Sequence, residues 1–290
     1  MQLTVIARSI VLLAALLPAA AAAEQIPTVR DITSVRAAGM GDAVRGFASS
    51  GEALTAQPAG IAASVRFNAS TVALFEPAFD YRLLAATSID SKLNAQESFP
   101  LAGGAGYYNY RSGEGRHGSI TVLGMALPLY PETLFIGATG KWLRLGGEVE
   151  SNAVTMDAGA ILRLFDLVSL GAVGYNLIDV QSPEARRAWA FGAAVGNDRL
   201  FHVDFDLRLD RSFEEEAYVT SFNVGAEYVI GELVVPRVGY IQDNFRGVKK
   251  VTGGVSVLLG PLAIEAAYQH AIDGEGRYFG IGLRLLDSPR

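Results

Sequence analysis

The chain has 290 residues, no cysteine and a formal net charge of −6 at pH 7. The lack of cysteine excludes a disulfide framework and a thiolate site, and the acidic balance argues against nucleic acid as a partner. Although 50% of the residues are hydrophobic, no uncharged run beyond residue 23 approaches the roughly 20 residues of a spanning helix. An apolar chain of this kind favours a β-barrel as the way to cross a membrane.

Residues 1–23 have the features of a secretory signal peptide. Arg8 precedes an apolar run over residues 10–17, and three alanines at 21–23 offer a small-residue cleavage site. We expect cleavage near Ala23, so that the mature chain begins at Glu24. An uncleaved membrane anchor is the alternative, but the apolar run is short for a spanning helix.

Residues 24–66 form a small-residue segment that we expect to contain turns and short helices. Glycine reaches backbone conformations that other residues avoid, and proline fixes φ. A glycine-punctuated segment of this kind is able to pack inside a narrow lumen. The glycine and proline runs of this segment, with the arginine before them, comprise Arg36, Gly39, Met40, Gly41, Gln57, Pro58, Ala59 and Gly60.

From residue 67 onward the chain alternates apolar and polar residues in segments separated by turns. The clearest segment is 201–210, where five polar residues alternate with five apolar ones, and this period of two predicts a β-strand. One such strand also fits a secreted soluble β-rich protein, but its repetition favours a barrel. We predict strands at residues 67–76, 80–89, 103–110, 118–129, 133–145, 154–165, 167–178, 189–197, 199–210, 217–230, 233–244, 250–260, 262–271 and 277–286.

These segments predict an all-β fold, a transmembrane antiparallel β-barrel of about 14 strands over residues 67–290. Counted back from the carboxyl end, tight connections alternate with longer, charged ones, as periplasmic turns alternate with outer loops. We therefore expect both termini on the periplasmic side. The long connection from Asp90 to Ala102 is an exception that we do not explain.

Charged residues share one face of their strands, opposite apolar residues. Because Lys or Arg facing lipid at the midplane costs roughly 2–4 kcal/mol, we expect the charged face to line the interior. Mixed signs predict a partly filled ion-pair network as readily as a wide channel. The residues assigned to this lumen network are Asp157, Arg163, His202, Asp204, Asp206, Arg208, Glu227, Glu265 and Arg284.

Aromatic residues near the predicted strand ends suit girdles at the two membrane interfaces. Ordinary packing in the interior is an equally good interpretation of them. These residues are Tyr110, Tyr130, Trp142, Trp189 and Tyr240.

The order of Arg36, the Gly39-Met40-Gly41 run and the Gln57-Pro58-Ala59-Gly60 run, together with the strand count, resembles the FadL-type superfamily of outer-membrane proteins. That group includes the long-chain fatty-acid transporters and the smaller PorV- and PorQ-like proteins. The resemblance implies a barrel in the outer membrane of a Gram-negative cell, with residues 24–66 as a plug tucked into its periplasmic end. On this resemblance we assign Arg36 and the residues of the two runs to the plug or gate. The family has Asn where this chain has Gln57, and the chain is short for a fatty-acid transporter.

Two functions follow from the resemblance, and neither needs a cofactor or a metal. The first is passive uptake or export of a small hydrophobic compound, gated by the plug. The second is a non-transporting, PorV-like role in which the barrel holds a secreted or periplasmic protein partner. A lumen lined by charges favours the second role. In both, lipid of the outer membrane surrounds the barrel.

An enzyme is the least favoured class. The histidines His117, His202 and His270 are far apart in sequence and show no metal-binding spacing. A hydrolase would have to use His202 with Asp204, Asp206 or a distant serine, and a polar lumen strand explains His202 better. Residues 273–276 fall short of a calcium loop, and residues 214–216 and 249–250 are charge runs expected on loop surfaces.

Overall fold

A computed structural model describes residues 29–63, 67–91, 100–113, 115–147, 150–165, 167–197, 200–212, 217–273 and 276–286. The predicted signal peptide, the charge run 214–216 and most of the connection from Asp90 to Ala102 lie outside the described residues. So do two of the four residues of the rejected calcium loop. Within the described part of the chain, no helix combines the length and the apolar character that crossing a bilayer requires.

Fourteen antiparallel strands form one closed barrel, in which each strand pairs with the next along the chain and β14 returns to β1. The closure joins Asn68 to Leu286 and Phe75 to Phe279 at the two ends of the β1–β14 ladder. The strands are β1 Phe67–Glu76, β2 Tyr81–Asp90, β3 Ala102–Arg111, β4 His117–Tyr130, β5 Leu134–Gly146, β6 Ser151–Leu164, β7 Val168–Tyr175, β8 Ala188–Asn197, β9 Phe201–Arg211, β10 Tyr218–Tyr228, β11 Val234–Asp243, β12 Val248–Leu259, β13 Leu262–Ala271 and β14 Arg277–Leu286.

The structure confirms the predicted fold class, and most strand bounds agree with the prediction within two residues. The largest errors concern β6 and β7: β6 begins at Ser151, three residues early, and β7 ends at Tyr175 instead of residue 178. Leu177 still donates a backbone hydrogen bond to the Met156 carbonyl at 2.8 Å, after which the chain leaves the wall. The connection between β11 and β12 has only residues 244–247, so it is shorter than predicted.

The alternation of side chains separates a lipid-facing surface from the lumen. Outward positions carry large apolar residues that are exposed, such as Leu123 (65%), Ile281 (60%) and Phe205 (49%), whereas His202 and Asp204 on the inward face of β9 are fully buried. Of the predicted girdle residues, Tyr130, Trp142 and Trp189 are exposed, as expected. Tyr110 follows the other interpretation, packing in the interior, because it is fully buried in the lumen.

The described amino-terminal residues, 29–63, run through the lumen; they are called the lumen segment below. It contains two short α-helices, α1 (Val35–Gly39) and α2 (Gly60–Ala63). Ser34 begins α1 because its side chain accepts a hydrogen bond from the Ala37 backbone N–H at 3.0 Å, as an N-cap does. The prediction of turns and short helices is confirmed for these residues.

We had expected the lumen segment to sit in the periplasmic end of the barrel. The structure shows that it also reaches the outer end. Arg30 pairs with Asp210 and Asp243, and both aspartates lie where β9 and β11 reach the longer connections, which mark the outer end of the barrel. The carbonyl of Ala63 accepts from Arg163 at 2.9 Å, near the opposite end of β6. The segment therefore crosses the lumen from its outer end to its periplasmic end, because ion pairs hold its beginning at the outer rim.

Glycines in the wall make room for the backbone of the lumen segment. A methyl group at Gly137 would overlap the Pro58 carbonyl, and one at Gly225 would overlap the Met40 carbonyl. Side chains at these sites would push against backbone that cannot move aside. Gly171, Gly192, Gly239 and Gly254 approach the backbone of the segment in the same way, whereas Gly104, Gly106, Gly124, Gly159 and Gly282 face its side chains.

We predict that Gly137→Val loosens the lumen segment, because its side chain would overlap backbone; overpacking of this kind costs about 1–3 kcal/mol. Purified barrel should then show faster trypsin cleavage after Arg36 and Arg45, and larger ion conductance in planar bilayers. Gly140→Val is the matched control on the same strand, since no described atom lies within 4 Å of a methyl group there. Equal protection of the two variants would contradict close packing of the segment.

Candidate functional site in the barrel lumen

Arg36 is the centre of a buried ion-pair network between the lumen segment and the wall. Its guanidinium lies 2.5 Å from Glu52 in the same segment and 3.0 Å from Glu227 on β10. It also lies 3.0 Å from Nε2 of His202 on β9. Arg36 is only 2% exposed, so these contacts act in a medium where charge is poorly solvated. Burial works to lower the pKa of Arg36, but Glu227 and Glu52 raise it above its ordinary value, so the guanidinium stays charged.

The network continues along the wall through two further arginines. Arg237 on β11 donates to Glu227 at 2.8 Å and lies 3.3 Å from Glu265 on β13. Arg284 on β14 lies 3.1 Å from the same Glu265. Three arginines thus alternate with three glutamates around one side of the lumen, which satisfies the requirement that buried charges be paired. The prediction named Glu227, Glu265 and Arg284 but missed Glu52 and Arg237.

His202 and Asp204 lie within this network. Nε2 of His202 is 2.9 Å from Asp204, and Nδ1 is 3.2 Å from Glu227. The ring also packs against Phe47 of the lumen segment, with 5.0 Å between ring centroids. Since His202 is fully buried and occupied by these neighbours, its surroundings are those of a structural lumen residue.

Arg45 forms a second anchor between the lumen segment and the wall. Its guanidinium lies 3.0 Å from Asp206 on β9 and 3.0 Å from Asp42 within the segment. The backbone N–H groups of Val44 and Arg45 also donate to Asp206, at 2.9 and 3.1 Å. Nothing in the local sequence marked Arg45, because its partner is 161 residues away.

Gln57 and the glycines assigned to the plug fix the path of the segment. The Gln57 amide donates to the carbonyls of Ala160 on β6 and Ala172 on β7, both at 3.2 Å. Gly41 has a φ of +63° and donates its N–H to Thr252 at 2.9 Å. Met40, Ala59 and Gly60 are buried. The longer side chain of Gln57 therefore reaches two strands of the wall.

Three other predicted network residues line the lumen but lie apart from Arg36. Asp157 pairs with Lys141 of β5 at 2.7 Å. Arg163 donates to the Ala63 carbonyl at the periplasmic end. Arg208 pairs with Asp210 at 3.0 Å and lies over the Tyr175 ring. The predicted set is therefore split among separate clusters: Asp157 and Arg163 lie on β6, and Arg208 lies on β9 closer to its outer end than His202 does.

A polar cleft of about 80 Å³ opens at the outer end of the lumen segment. Arg30 and Asp31 form one side of it, and Arg246 from the β11–β12 connection pairs with Asp31. Tyr278 on β14 and Lys250 on β12 lie opposite, with the Lys250 ammonium 5.5 Å from the Tyr278 ring centre. Charged residues thus surround the outer entrance to the lumen.

The inward faces of β1–β5 are mainly apolar, which we had not expected; Glu76 and Lys141 are buried charged exceptions. The apolar side chains pack against Leu54 and Ile61 of the lumen segment and belong with these two residues to one buried cluster. The sequence carried a signal of this: residues 120–127 are almost continuously apolar, as in strands buried on both faces. The wall members of this apolar half include Leu74, Tyr81, Leu83, Ile89, Tyr108, Tyr110, Ile120, Val122, Phe135, Leu143 and Leu145.

The fold is similar to those of solved outer-membrane barrels at low sequence identity. The CymD monoaromatic hydrocarbon channel has a TM-score of 0.61 and 13% identity, covering 88% of this chain and 97% of that one. The TodX deltaS2S3 mutant monoaromatic hydrocarbon channel has a TM-score of 0.57 and 13% identity, covering 88% and 98%. The Acinetobacter baumannii outer membrane protein Omp33 has a TM-score of 0.50 and 10% identity, covering 77% and 99%. No protein-family model and no curated protein sequence matches the chain.

These likenesses show the fold. They are consistent with the FadL-like barrel that the amino-terminal motif and the strand count predict, while the PorV-like branch of that resemblance has no counterpart among these structures.

We predict that Arg36→Met destabilises docking of the lumen segment by about 3–5 kcal/mol, because it leaves Glu52 and Glu227 without their shared cation. The double variant R36M/E52Q should recover part of this loss, since Glu227 keeps Arg237. Protease protection of residues 29–63, measured at increasing denaturant concentration, gives the loss of docking free energy for each of the two variants. An equal loss in both variants would show that Glu52 is not coupled to Arg36.

Proposed function

We propose that the protein is an outer-membrane channel for small hydrophobic compounds and that the lumen segment is its gate. The observation that supports this proposal most strongly is the apolar half of the lumen. Tyr81 and Tyr110 lie near its outer end, and Ile89 and Ala126 lie near its periplasmic end. An apolar solute crossing the barrel would therefore remain in contact with apolar side chains over the length of the wall.

The two sides of the lumen segment differ in how firmly they are held. Toward β9–β11, Arg36 and Arg45 form buried ion pairs, and separating such pairs leaves unpaired charge at a cost of several kcal/mol. Toward β1–β5, Leu54 and Ile61 make apolar contacts. An apolar solute entering on that side would replace the contacts it breaks. We infer that residues 51–63 move away from β1–β5 toward the anchored side, so that Glu52 keeps its pair with Arg36 and the arginine anchors stay in place.

The similar structures support the same class of cargo. CymD and TodX are both titled monoaromatic hydrocarbon channels, and the present chain shares their fold. Monoaromatic hydrocarbons are small and lack charge, so they fit a passage lined by Leu, Ile, Val and Tyr better than one lined by ion pairs. We take such compounds as the probe for the proposed transport.

The proposed location is the outer membrane, reached after removal of residues 1–23. Residues 24–66 then act as gate and residues 67–290 as barrel. In this scheme the polar cleft at Arg30 and Asp31 is the outer entrance, and the apolar half begins below it at Tyr81 and Tyr278.

The tight fit of the lumen segment favours a second candidate, the non-transporting interaction protein. Wall glycines and buried ion pairs fix the segment so closely that the lumen is filled. A secreted or periplasmic protein partner would bind such a barrel at one of its two ends. The two candidates differ in whether the segment must move.

We predict that a disulfide between the lumen segment and β2 blocks uptake. Cβ atoms at Gly51 and Thr87 lie 3.3 Å apart, close to the spacing of a disulfide, and the chain has no other cysteine. Cells carrying G51C/T87C in an intact outer membrane should take up radiolabelled toluene no faster than cells without the protein. Reduction with dithiothreitol should restore uptake to the wild-type rate.

The matched control is a cross-link within the wall, A267C/G280C. These Cβ positions lie 3.6 Å apart on neighbouring strands β13 and β14, so the bond leaves the lumen segment free to move. It should leave uptake unchanged. If oxidised G51C/T87C transports as fast as this control, the gate proposal is wrong; if wild-type cells never exceed empty cells, the transport proposal is wrong.

Native mass spectrometry of protein extracted gently from its own outer membrane separates the two candidate functions. A channel should retain small apolar molecules or none, and oxidised G51C/T87C should retain fewer than A267C/G280C. A protein partner retained in fixed stoichiometry by both cross-linked variants would favour the interaction role, since that role needs no movement of the segment.

A further inference from the structure

In the described strands, the basic residues that face outward lie at the outer end of the barrel. Seven of them lie on neighbouring strands and are exposed; they are called the rim belt below. Arg211 on β9 has the same orientation at the same end but stands apart from the belt. The rim belt consists of Arg82 on β2, Arg111 on β3, His117 on β4, Arg144 on β5, Lys249 on β12, His270 on β13 and Arg277 on β14.

The strand register groups most of the belt into two sets of directly opposed residues, one on each side of β1. Arg82 is directly opposite Arg111, and Arg111 is directly opposite His117. On the other side of β1, His270 is directly opposite Arg277. Residues opposite each other on one face have Cβ atoms about 4.5–5.5 Å apart, so one anion is able to contact two belt residues. The belt covers the rim from β12 through β14 and β1 to β5.

The belt residues lie next to the lipid-facing apolar residues, on the side toward the outer end of the barrel. The outward residue two positions from Arg144 is Trp142, and its exposed ring lies 3.8 Å from the guanidinium. The equivalent neighbour of Arg277 is Phe279, and that of Arg82 is Leu84; both are exposed and apolar. This arrangement places the cationic groups at headgroup level, where long basic side chains extend toward the interface.

Two belt cations have acidic partners among the described residues. Arg82 lies 3.3 Å from Asp80, and Lys249 lies 3.5 Å from Asp273, in exposed pairs that contribute little. Arg82 and Arg111 face each other, and like charges directly opposite in a sheet destabilise it. A bound anion between them would turn this repulsion into attraction.

The opposite rim is different. Outward positions at the periplasmic end carry apolar or aromatic residues such as Phe67, Leu129, Phe201, Tyr228 and Leu285. In the described strands, no outward-facing lysine or arginine lies at that end. The belt therefore matches one leaflet of the bilayer, and the turn lengths assign it to the outer leaflet.

We propose that the rim belt binds phosphorylated, anionic lipid headgroups of the outer leaflet. Arginine guanidinium groups match phosphate oxygens in paired, charge-assisted hydrogen bonds, and Arg82 with Arg111 offers two such groups side by side. Trp142 and Leu84 contact the acyl chains of the same lipid. This binding does not depend on transport through the lumen.

The two tryptophans of the chain provide the test. Trp142 lies within the belt, whereas Trp189 lies on β8, which carries no belt residue; the two are 42% and 40% exposed. W189F and W142F each leave one reporter. Each is reconstituted in phosphatidylcholine vesicles with a low mole fraction of brominated phosphatidic acid or brominated phosphatidylcholine. Both leaflets contain the same lipids, so the orientation of the protein does not affect the result.

We expect brominated phosphatidic acid to quench Trp142 as if its local concentration were about fivefold higher than that of brominated phosphatidylcholine, the effect of one basic residue at an anionic surface. The difference should be smaller at Trp189, which lies outside the belt beside Arg211 of β9, and it should shrink at high salt. In the W189F background, R82Q/R111Q should lower the excess at Trp142 at least about twofold. R82K/R111K, which keeps the charge, should retain most of it.

Arg82 and Arg111 are exposed and do not touch Trp142 or the lumen segment, so these variants should fold; the mobility difference between boiled and unboiled samples verifies this for each one. Equal quenching of Trp142 by the two lipids would overturn the proposal. An excess that R82Q/R111Q leaves unchanged would also overturn it, because Arg82 and Arg111 would then not be the phosphate site.

Discussion

The barrel depends on ion pairs in its lumen, because the alternation of side chains along its strands turns charged residues inward. A closed fourteen-stranded wall turns Asp204, Asp206 and Glu227 toward the lumen, and buried carboxylates require cations. Arg36 and Arg45 of the lumen segment supply two of these cations. The wall and the segment are therefore one folded unit on this side, and the path of residues 29–63 follows from where the partners of its arginines lie.

The opposite side of the lumen obeys a different constraint. Leu54 and Ile61 meet an apolar wall, where contacts are not directional and one apolar group is able to substitute for another. The same segment is thus anchored by specific pairs on one side and by replaceable contacts on the other. This asymmetry reconciles a lumen that is filled at rest with a proposed passage for apolar molecules, since only the apolar side needs to open.

The sequence predicted the strands of the barrel wall far better than the path and the contacts of the lumen segment. A period of two over each strand and tight turns at alternate ends fix the strands, because a shift of one residue would turn every charge toward lipid. The lumen segment has no such period. Glu227 lies 191 residues from Arg36, so no local pattern announced that contact or showed that Arg30 reaches the outer rim. The apolar run at residues 120–127 indicated the apolar inward face of β2–β5. The prediction gave more weight to the charged strands that follow it.

The same alternation that fills the lumen also shapes the outside of the barrel. Each strand must keep charge away from the lipid midplane, so outward basic residues are tolerated only at the ends. Chance would distribute them over both rims, yet Arg82, Arg111 and Arg144 all lie at the outer one. A rim that concentrates arginines at one level, against the repulsion of directly opposed charges, gains stability from an anionic leaflet. The surrounding lipid then acts as a partner of the fold, in the same way that the carboxylates of the lumen act as partners of Arg36.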